Sequence, residues 1–361
     1  MGLFSAANSE PRLLSLAERL RSDRRAEVQS EPVISLARIE FLTPDRTGLP
    51  PLARYAHLQM PDGSAKVVGF AEGSRGCKHW CRHCPVVPVY QGKFRVVQVP
   101  VVLADIRSQV AMGAEHISFG DPDFLNGPTH ALKLARALHA EFPDLSFDAT
   151  IKVQHLIEHA MLLPELKRCG CLYVTSAVEA VDDRILEYLD KNHSAEDFGR
   201  AVALLRQAGI AFAPTFVAFT PWTTLDGYVD LLRRLIELEL VESVPPIQLC
   251  IRLLVPEGSY LLKLAGFRDL IRGFRCEDSG LPLATPRRPR RCAAAASSGV
   301  CRESRGRGAF APPGIRANLG DGSPIPRQDR SAARPPEPRL VHAAPFGALV
   351  LLCRTHDAAV A

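Results

Sequence analysis

The chain has 361 residues, of which 47% are hydrophobic and 23% charged, with a formal net charge of +5 and ten cysteines. That composition suits a globular protein able to bury a core as one large domain or two smaller ones. The charge is too slight for a nucleic-acid surface, and no apolar run approaches the roughly 20 residues of a membrane helix. The cysteines also lack the paired spacing of a secreted disulfide framework, so a cytoplasmic protein without nucleic-acid or membrane partners is expected.

Residues 1–31 read as an extension without a secretory core. Leu13, Leu14, Leu16 and Leu20, with arginines between them, could form an amphipathic helix or remain frayed. A β-rich lead-in starts near residue 32, with pieces at 33–36 and 66–70, the second a buried strand. Helices are then expected over 102–113, 129–142, 154–168, 183–189, 195–207 and 225–240. Strands are expected over 116–119, 145–153, 171–178, 210–219 and 247–255. Gly209 is a helix C-cap signal. With 66–70, six strands alternate with helices, so the fold class is α/β, a partial (β/α)6 barrel with its chemistry at the C-terminal strand ends. This core spans 32–271.

From 272 to 361 the sequence changes character. Lys263 is the last lysine, and arginine, proline and alanine dominate thereafter. Such a tail lacks the apolar content to offset its ordering entropy, so disorder is expected, with one short apolar element at 346–352. The same shift in usage is what GC-rich DNA translated in a changed frame would produce.

The stretch Cys77-Lys78-His79-Trp80-Cys81-Arg82-His83-Cys84 carries the chemistry. Thiolates spaced C-x3-C-x2-C after the first strand select an iron–sulfur cluster or zinc over hard metals. A [4Fe–4S] cluster held by three of them leaves one iron open. The alternative is structural zinc, with His79 or His83 as fourth ligand, although such sites usually draw on two separate pairs. Cys169, Cys171 and Cys250 read as small core thiols.

This arrangement resembles the radical S-adenosylmethionine (radical SAM) enzymes, and within them the family named for its CUAEP or CCAEP tail. The matching stretches are Cys81–Pro85, Phe119–Pro128, Ala218–Thr224 and Ile251–Pro256, whereas the tail motif itself is missing and His83 stands where an aromatic residue is usual. The resemblance implies a [4Fe–4S] cluster on Cys77, Cys81 and Cys84, with SAM on the open iron. It places Gly120 and Asp121 at the SAM ammonium, Glu179 at the ribose, Lys152 at the carboxylate and His83 beside them. The bland readings are a strand-end turn for Gly120-Asp121, a helix-start carboxylate for Glu179 and an outward, solvated Lys152. Trp222 and its neighbouring threonines would line the substrate pocket or pack on the rim. Arg252, on an apolar strand, would need a carboxylate or anionic ligand. A small-molecule substrate and a flavodoxin- or ferredoxin-like electron donor are the implied partners. The reaction would be hydrogen abstraction by a 5′-deoxyadenosyl radical or transfer of a 3-amino-3-carboxypropyl group, for which an arsenic acceptor is one option. The competing class is a non-catalytic zinc or iron–sulfur protein, or a pseudoenzyme.

Overall fold

A computed structural model describes residues 39–256 and 258–270, with Arg21 and residues 350–352 besides. The extension, the 33–36 piece and nearly all of the tail therefore lie outside the described residues.

The central feature is a curved, largely parallel sheet. β1 (His57–Gln59) and β2 (Ala65–Ala71) form an antiparallel hairpin across a turn at Asp62-Gly63. β2 then pairs in parallel with β5 (His116–Phe119), followed by β6 (Ser146–Thr150), β7 (Cys171–Glu179) and β8 (Ala211–Phe216). Two short strands, β3 (Ser74–Gly76) and β4 (Phe94–Val96), make a separate antiparallel ribbon. β9 (Val350–Leu352), within the expected 346–352 element, extends the sheet beyond β1.

Side chains alternate across this sheet as the pleat requires. Ile117, Phe119, Phe147, Ala149 and Val174 are buried and join Leu134, Leu138, Leu156 and Phe198 in the main core. Ser118, Asp148, Thr150, Tyr173 and Thr175 occupy the alternate positions and face the concave side. The strands are therefore apolar on the helical side and mixed on the inside, the pattern of a half-barrel with a usable lumen.

Two expectations fail, both at prolines. Residues 154–168 are not one helix: Val153–Glu158 and Leu163–Arg168 are separate, joined by a 3-10 turn at Ala160–Leu162. Pro164 sits in the first turn of the second piece, where its missing N–H costs nothing; within one continuous helix it would clash with the preceding turn. The strand expected over 247–255 is also absent. Pro246–Cys250 is a 3-10 turn, and contact with the sheet is reduced to a parallel bridge between Phe219 and Arg252. Pro245 and Pro246 remove consecutive donors, and Pro214 is tolerated within β8 because β8 ends the sheet. Arg252 is exposed, so it needs no buried counter-ion.

The Ala195–Ala208 helix follows its sequence signals closely. Ser194 and Asp197 form a reciprocal capping box, and Gly209 closes the helix at φ 70°. No helix among the described residues is long and apolar enough to cross a membrane.

Candidate active site

The cysteine loop leaves the sheet after β2 and is framed by the β3–β4 ribbon. Gly76 enters it at φ 85°, and a Cβ there would lie 2.4 Å from the Lys93 carbonyl oxygen, so only glycine fits. Asn126 braces the start of the loop: its Oδ1 lies 3.3 Å from the Lys78 amide and 3.8 Å from Cys77 Sγ. The middle is pinned through Arg82. Its amide donates to Leu189 O at 2.9 Å, and its carbonyl accepts from Ser259 Oγ at 2.9 Å and the Leu261 amide at 3.1 Å. The loop is thus tied to three distant parts of the chain.

Cys77, Cys81 and Cys84 are free thiols. Cys77 and Cys84 both feel the charge of Cys81, so the three thiols lie near one another. Burial pushes the Cys77 thiol up to about 11 and raises that of Cys84 as well. Thiolate ligands in such a place need nearby positive charge. It comes from two buried ammonium groups: Lys152 acts on Cys81 and Cys77, and Lys191 on Cys81 and Cys84. Soft donors, no disulfide among them and two flanking cations fit an iron–sulfur cluster. The two histidines that could complete a zinc site are turned to other partners, His83 to Glu179 and His79 to Lys152.

Next to Cys84 in the loop, His83 meets Glu179. A register shift between β7 and β8 falls at Ala177/Glu179, and Glu179 adopts the left-handed conformation at φ 69°. That geometry is uncommon for a residue with a side chain. His83 Nε2 lies 2.9 Å from Glu179 Oε1, and Lys191 Nζ lies 3.3 Å from the same oxygen. Burial would raise the Glu179 carboxyl, but Lys191 and His83 outweigh it and hold the group at about 2. Glu179 is therefore an anion held between the Lys191 ammonium and the His83 ring, not a helix-start carboxylate in water.

The remaining expected positions are distributed as follows. Lys152 is buried, with Nζ 3.3 Å from His79 Nδ1, which rules out the outward, solvated reading. Asp121 is buried, and its oxygens accept from the Gly73 amide at 2.8 Å and Ser74 Oγ at 2.6 Å. Desolvation pushes its carboxyl up to about 6 despite those bonds. The Gly120 amide donates to Ala71 O at 2.9 Å, and a Cβ at Gly120 would lie 2.0 Å from the Phe70 ring. Trp222 packs against Tyr188 and Phe267, with ring centroids 4.6 and 5.6 Å away.

Four contributors were not singled out from sequence: Lys191, Asn126, Asp123 and His155. Lys191 had a readable signal. Asp190 and Asn192 flank it, and both take positive φ, at 57° and 55°. Asp and Asn are the residues with side chains that tolerate that region, so Asp-Lys-Asn marks a tight turn aimed inward.

The family model described as "Radical SAM superfamily" matches residues 72–235, from the strand before the cysteine loop through the last long helix. Those residues are a radical SAM domain. Enzymes of this superfamily use a [4Fe–4S] cluster and SAM. The fold agrees with that of the cobalamin-dependent S-adenosylmethionine radical enzyme OxsB in its apo form, at a TM-score of 0.60 and 15% identity, covering 82% of this chain and 50% of that one. OxsB with aqua-cobalamin and SAM bound superposes at 0.53, with 13% identity over 65% of this chain and 41% of that one. The radical SAM methyltransferase TsrM from Kitasatospora setae gives 0.42 at 21% identity, over 48% and 33% of the two chains. This chain spans between a third and a half of the length of those proteins.

Proposed function

We propose that this chain cleaves SAM reductively at a [4Fe–4S] cluster on Cys77, Cys81 and Cys84, and directs the radical onto a small molecule held in the half-barrel. The observation that carries this reading is the convergence of three free thiols, Cys81 buried and Cys77 and Cys84 half-buried, on two ammonium groups, beside an anionic Glu179, at the C-terminal ends of a parallel sheet. When bound, cluster and SAM together supply a carbon radical by one-electron cleavage of the sulfonium. The chain's own residues bind, orient and exclude water. Lys152 and Lys191 offset the thiolate charge, and either ammonium suits the SAM carboxylate. Glu179, already an acceptor, suits the paired donors of a ribose diol, with His83 fixing its orientation. Gly120 and Asp121 close the β5 end, where the SAM ammonium would lie. The electron comes from a flavodoxin- or ferredoxin-like donor.

The CUAEP-type resemblance gains a geometric detail. Its Ala218–Thr224 and Ile251–Pro256 stretches lie together, with Phe219 N to Ile251 O at 3.0 Å and Leu253 N to Phe219 O at 2.8 Å. They close the half-barrel beside β8, where a family-specific substrate wall belongs. On this reading, transfer of a 3-amino-3-carboxypropyl group stands beside hydrogen abstraction.

Anaerobic reconstitution with iron and sulfide tests the proposal. The expected protein is brown, and its reduced EPR signal shifts on adding SAM. A colourless, zinc-loaded protein, or a cluster indifferent to SAM, overturns it. Deoxyadenosine among the products identifies hydrogen abstraction, and methylthioadenosine identifies group transfer.

A further inference from the structure

Beside the cysteine loop lies a second group of ligand atoms that the radical reaction does not use. His79 Nε2, Asp123 Oδ2 and His155 Nδ1 converge, all within 4.8 Å of one another. Each comes from a different part of the fold. His79 is in the cysteine loop, Asp123 follows β5, and His155 lies on the Val153–Glu158 helix after β6. All are buried, with exposures of 9% for His79, 1% for Asp123 and 0% for His155.

The decisive feature is what these atoms do not do. None of the three has a properly directed hydrogen-bond partner. His155 Nδ1 lies 2.7 Å from Asp123 Oδ2, and His79 Nε2 lies 3.4 Å from it, yet both contacts are off the line a hydrogen bond needs. Buried polar atoms are nearly always bonded, and leaving one unmet costs about 1–3 kcal/mol. Here three such atoms meet in one place. Lone pairs that miss one another while sharing a centre are arranged as ligands of an ion.

We infer that His79, Asp123 and His155 bind one divalent transition ion, Zn2+ or Fe2+, next to but separate from the cluster. Two imidazoles and one carboxylate are borderline donors of the kind both ions accept, with further coordination left to water or substrate. The other atoms of the set are already fixed. Asp123 Oδ1 lies 3.2 Å from the Leu125 amide and 3.4 Å from that of Lys152, leaving Oδ2 for the ion. An ion on His79 Nε2 moves the ring proton to Nδ1, and the Lys152 ammonium, 3.3 Å from Nδ1, has a second acceptor in Gln154 Oε1 at 3.5 Å. On its outer side, His155 Nε2 lies 4.0 Å from Oε2 of Glu158, a residue that lines a groove of about 830 Å³. The ion would tie the cysteine loop to the ends of β5 and β6.

The test uses the full chain, reconstituted with its cluster, incubated with Zn2+ or Fe2+ separately, and freed of loose metal. Elemental analysis of the zinc arm should find one zinc per chain besides the cluster iron, and the iron arm one iron beyond the cluster complement. Zinc-edge X-ray absorption should show only nitrogen and oxygen neighbours at about 2.0–2.1 Å, without sulfur at about 2.3 Å. His155→Gln and Asp123→Asn should each lower retention at least tenfold while the cluster's absorption persists. Wild-type protein retaining no extra ion in either arm overturns the inference. So does a sulfur shell, or retention unchanged in both variants.

Discussion

The Lys191–Glu179 pair offers the sharpest test of how the site is held. Glu179 is almost wholly buried, and its carboxyl sits at about 2 against an ordinary 4.5. That difference amounts to about 3 kcal/mol in favour of the anion. The carboxyl is depressed in the folded state, so this stability is present above pH 4.5 and is lost as pH falls from 4.5 towards 2. Lys191→Met keeps the stem and removes the charge, leaving a buried carboxylate with His83 alone. Breaking a buried pair in this way costs about 3–5 kcal/mol. For a folded region of this size the melting temperature should drop by roughly 10 °C. The loss is measured by near-ultraviolet circular dichroism on anaerobic protein at pH 7.5. The decisive control is Lys191→Met with Glu179→Gln. Removing the orphaned anion should restore at least half of the lost stability, because it is the unpaired charge that destabilises. A double variant no more stable than Lys191→Met alone, or a single variant within about 1 kcal/mol of wild type, would refute the reasoning.

Three further outcomes follow. Cys81→Ala should leave the sheet folded and abolish stable cluster assembly, read as lost visible absorption and iron content. Asp121→Asn tests the opposite sign: its carboxyl is pushed up to about 6, so the charged form opposes folding as pH rises from 3.8 through 6. The substitution should raise the melting temperature at pH 7.5 and make no difference below pH 3.8; if Asp121 also receives the SAM ammonium, calorimetry will show weaker SAM binding. Gly76→Ala must accommodate a Cβ 2.4 Å from the Lys93 carbonyl at φ 85°, so the ribbon should yield, with about 1–3 kcal/mol of stability and much of the cluster lost. Unchanged iron content in Gly76→Ala would show that the loop can be framed without the ribbon.

The cysteine spacing and the alternation of strands and helices were legible because each depends on local sequence. Three thiols in eight residues identify a soft-metal loop, and Ile117-Ser118-Phe119 or Gly209 announce their elements without help from the rest of the chain. What was not legible depends on the third dimension. The run at 247–255 has strand composition, but Pro245-Pro246 and the end of the sheet at β8 deny it a ladder. The β3–β4 ribbon joins segments whose pairing no periodicity reveals, because the loop separates them. Asp123 read as part of a turn and His155 as one residue of a helix. Only folding shows that both meet His79.

These long-range contacts bear on how the site handles charge. Three thiolates make a cluster net anionic, and reduction adds a further electron to it. Lys152 and Lys191 both act on Cys81, so both favour the reduced state over the oxidised one. Neither ammonium is equally free to do so. Lys191 is paired with Glu179 at 3.3 Å, whereas among the described residues Lys152 reaches the neutral acceptors His79 and Gln154 and no carboxylate. The carboxylate near Lys152, Asp123, is not paired with it directly and sits instead 2.7 Å from His155 Nδ1 and 3.4 Å from His79 Nε2. Lys152 therefore carries the less compensated charge, and its removal should lower the cluster's midpoint potential more than removal of Lys191. The comparison of Lys152→Met with Lys191→Met by EPR-monitored redox titration decides it. Equal shifts, or a larger one for Lys191→Met, would mean that Glu179 does not neutralise its partner when the cluster is in place.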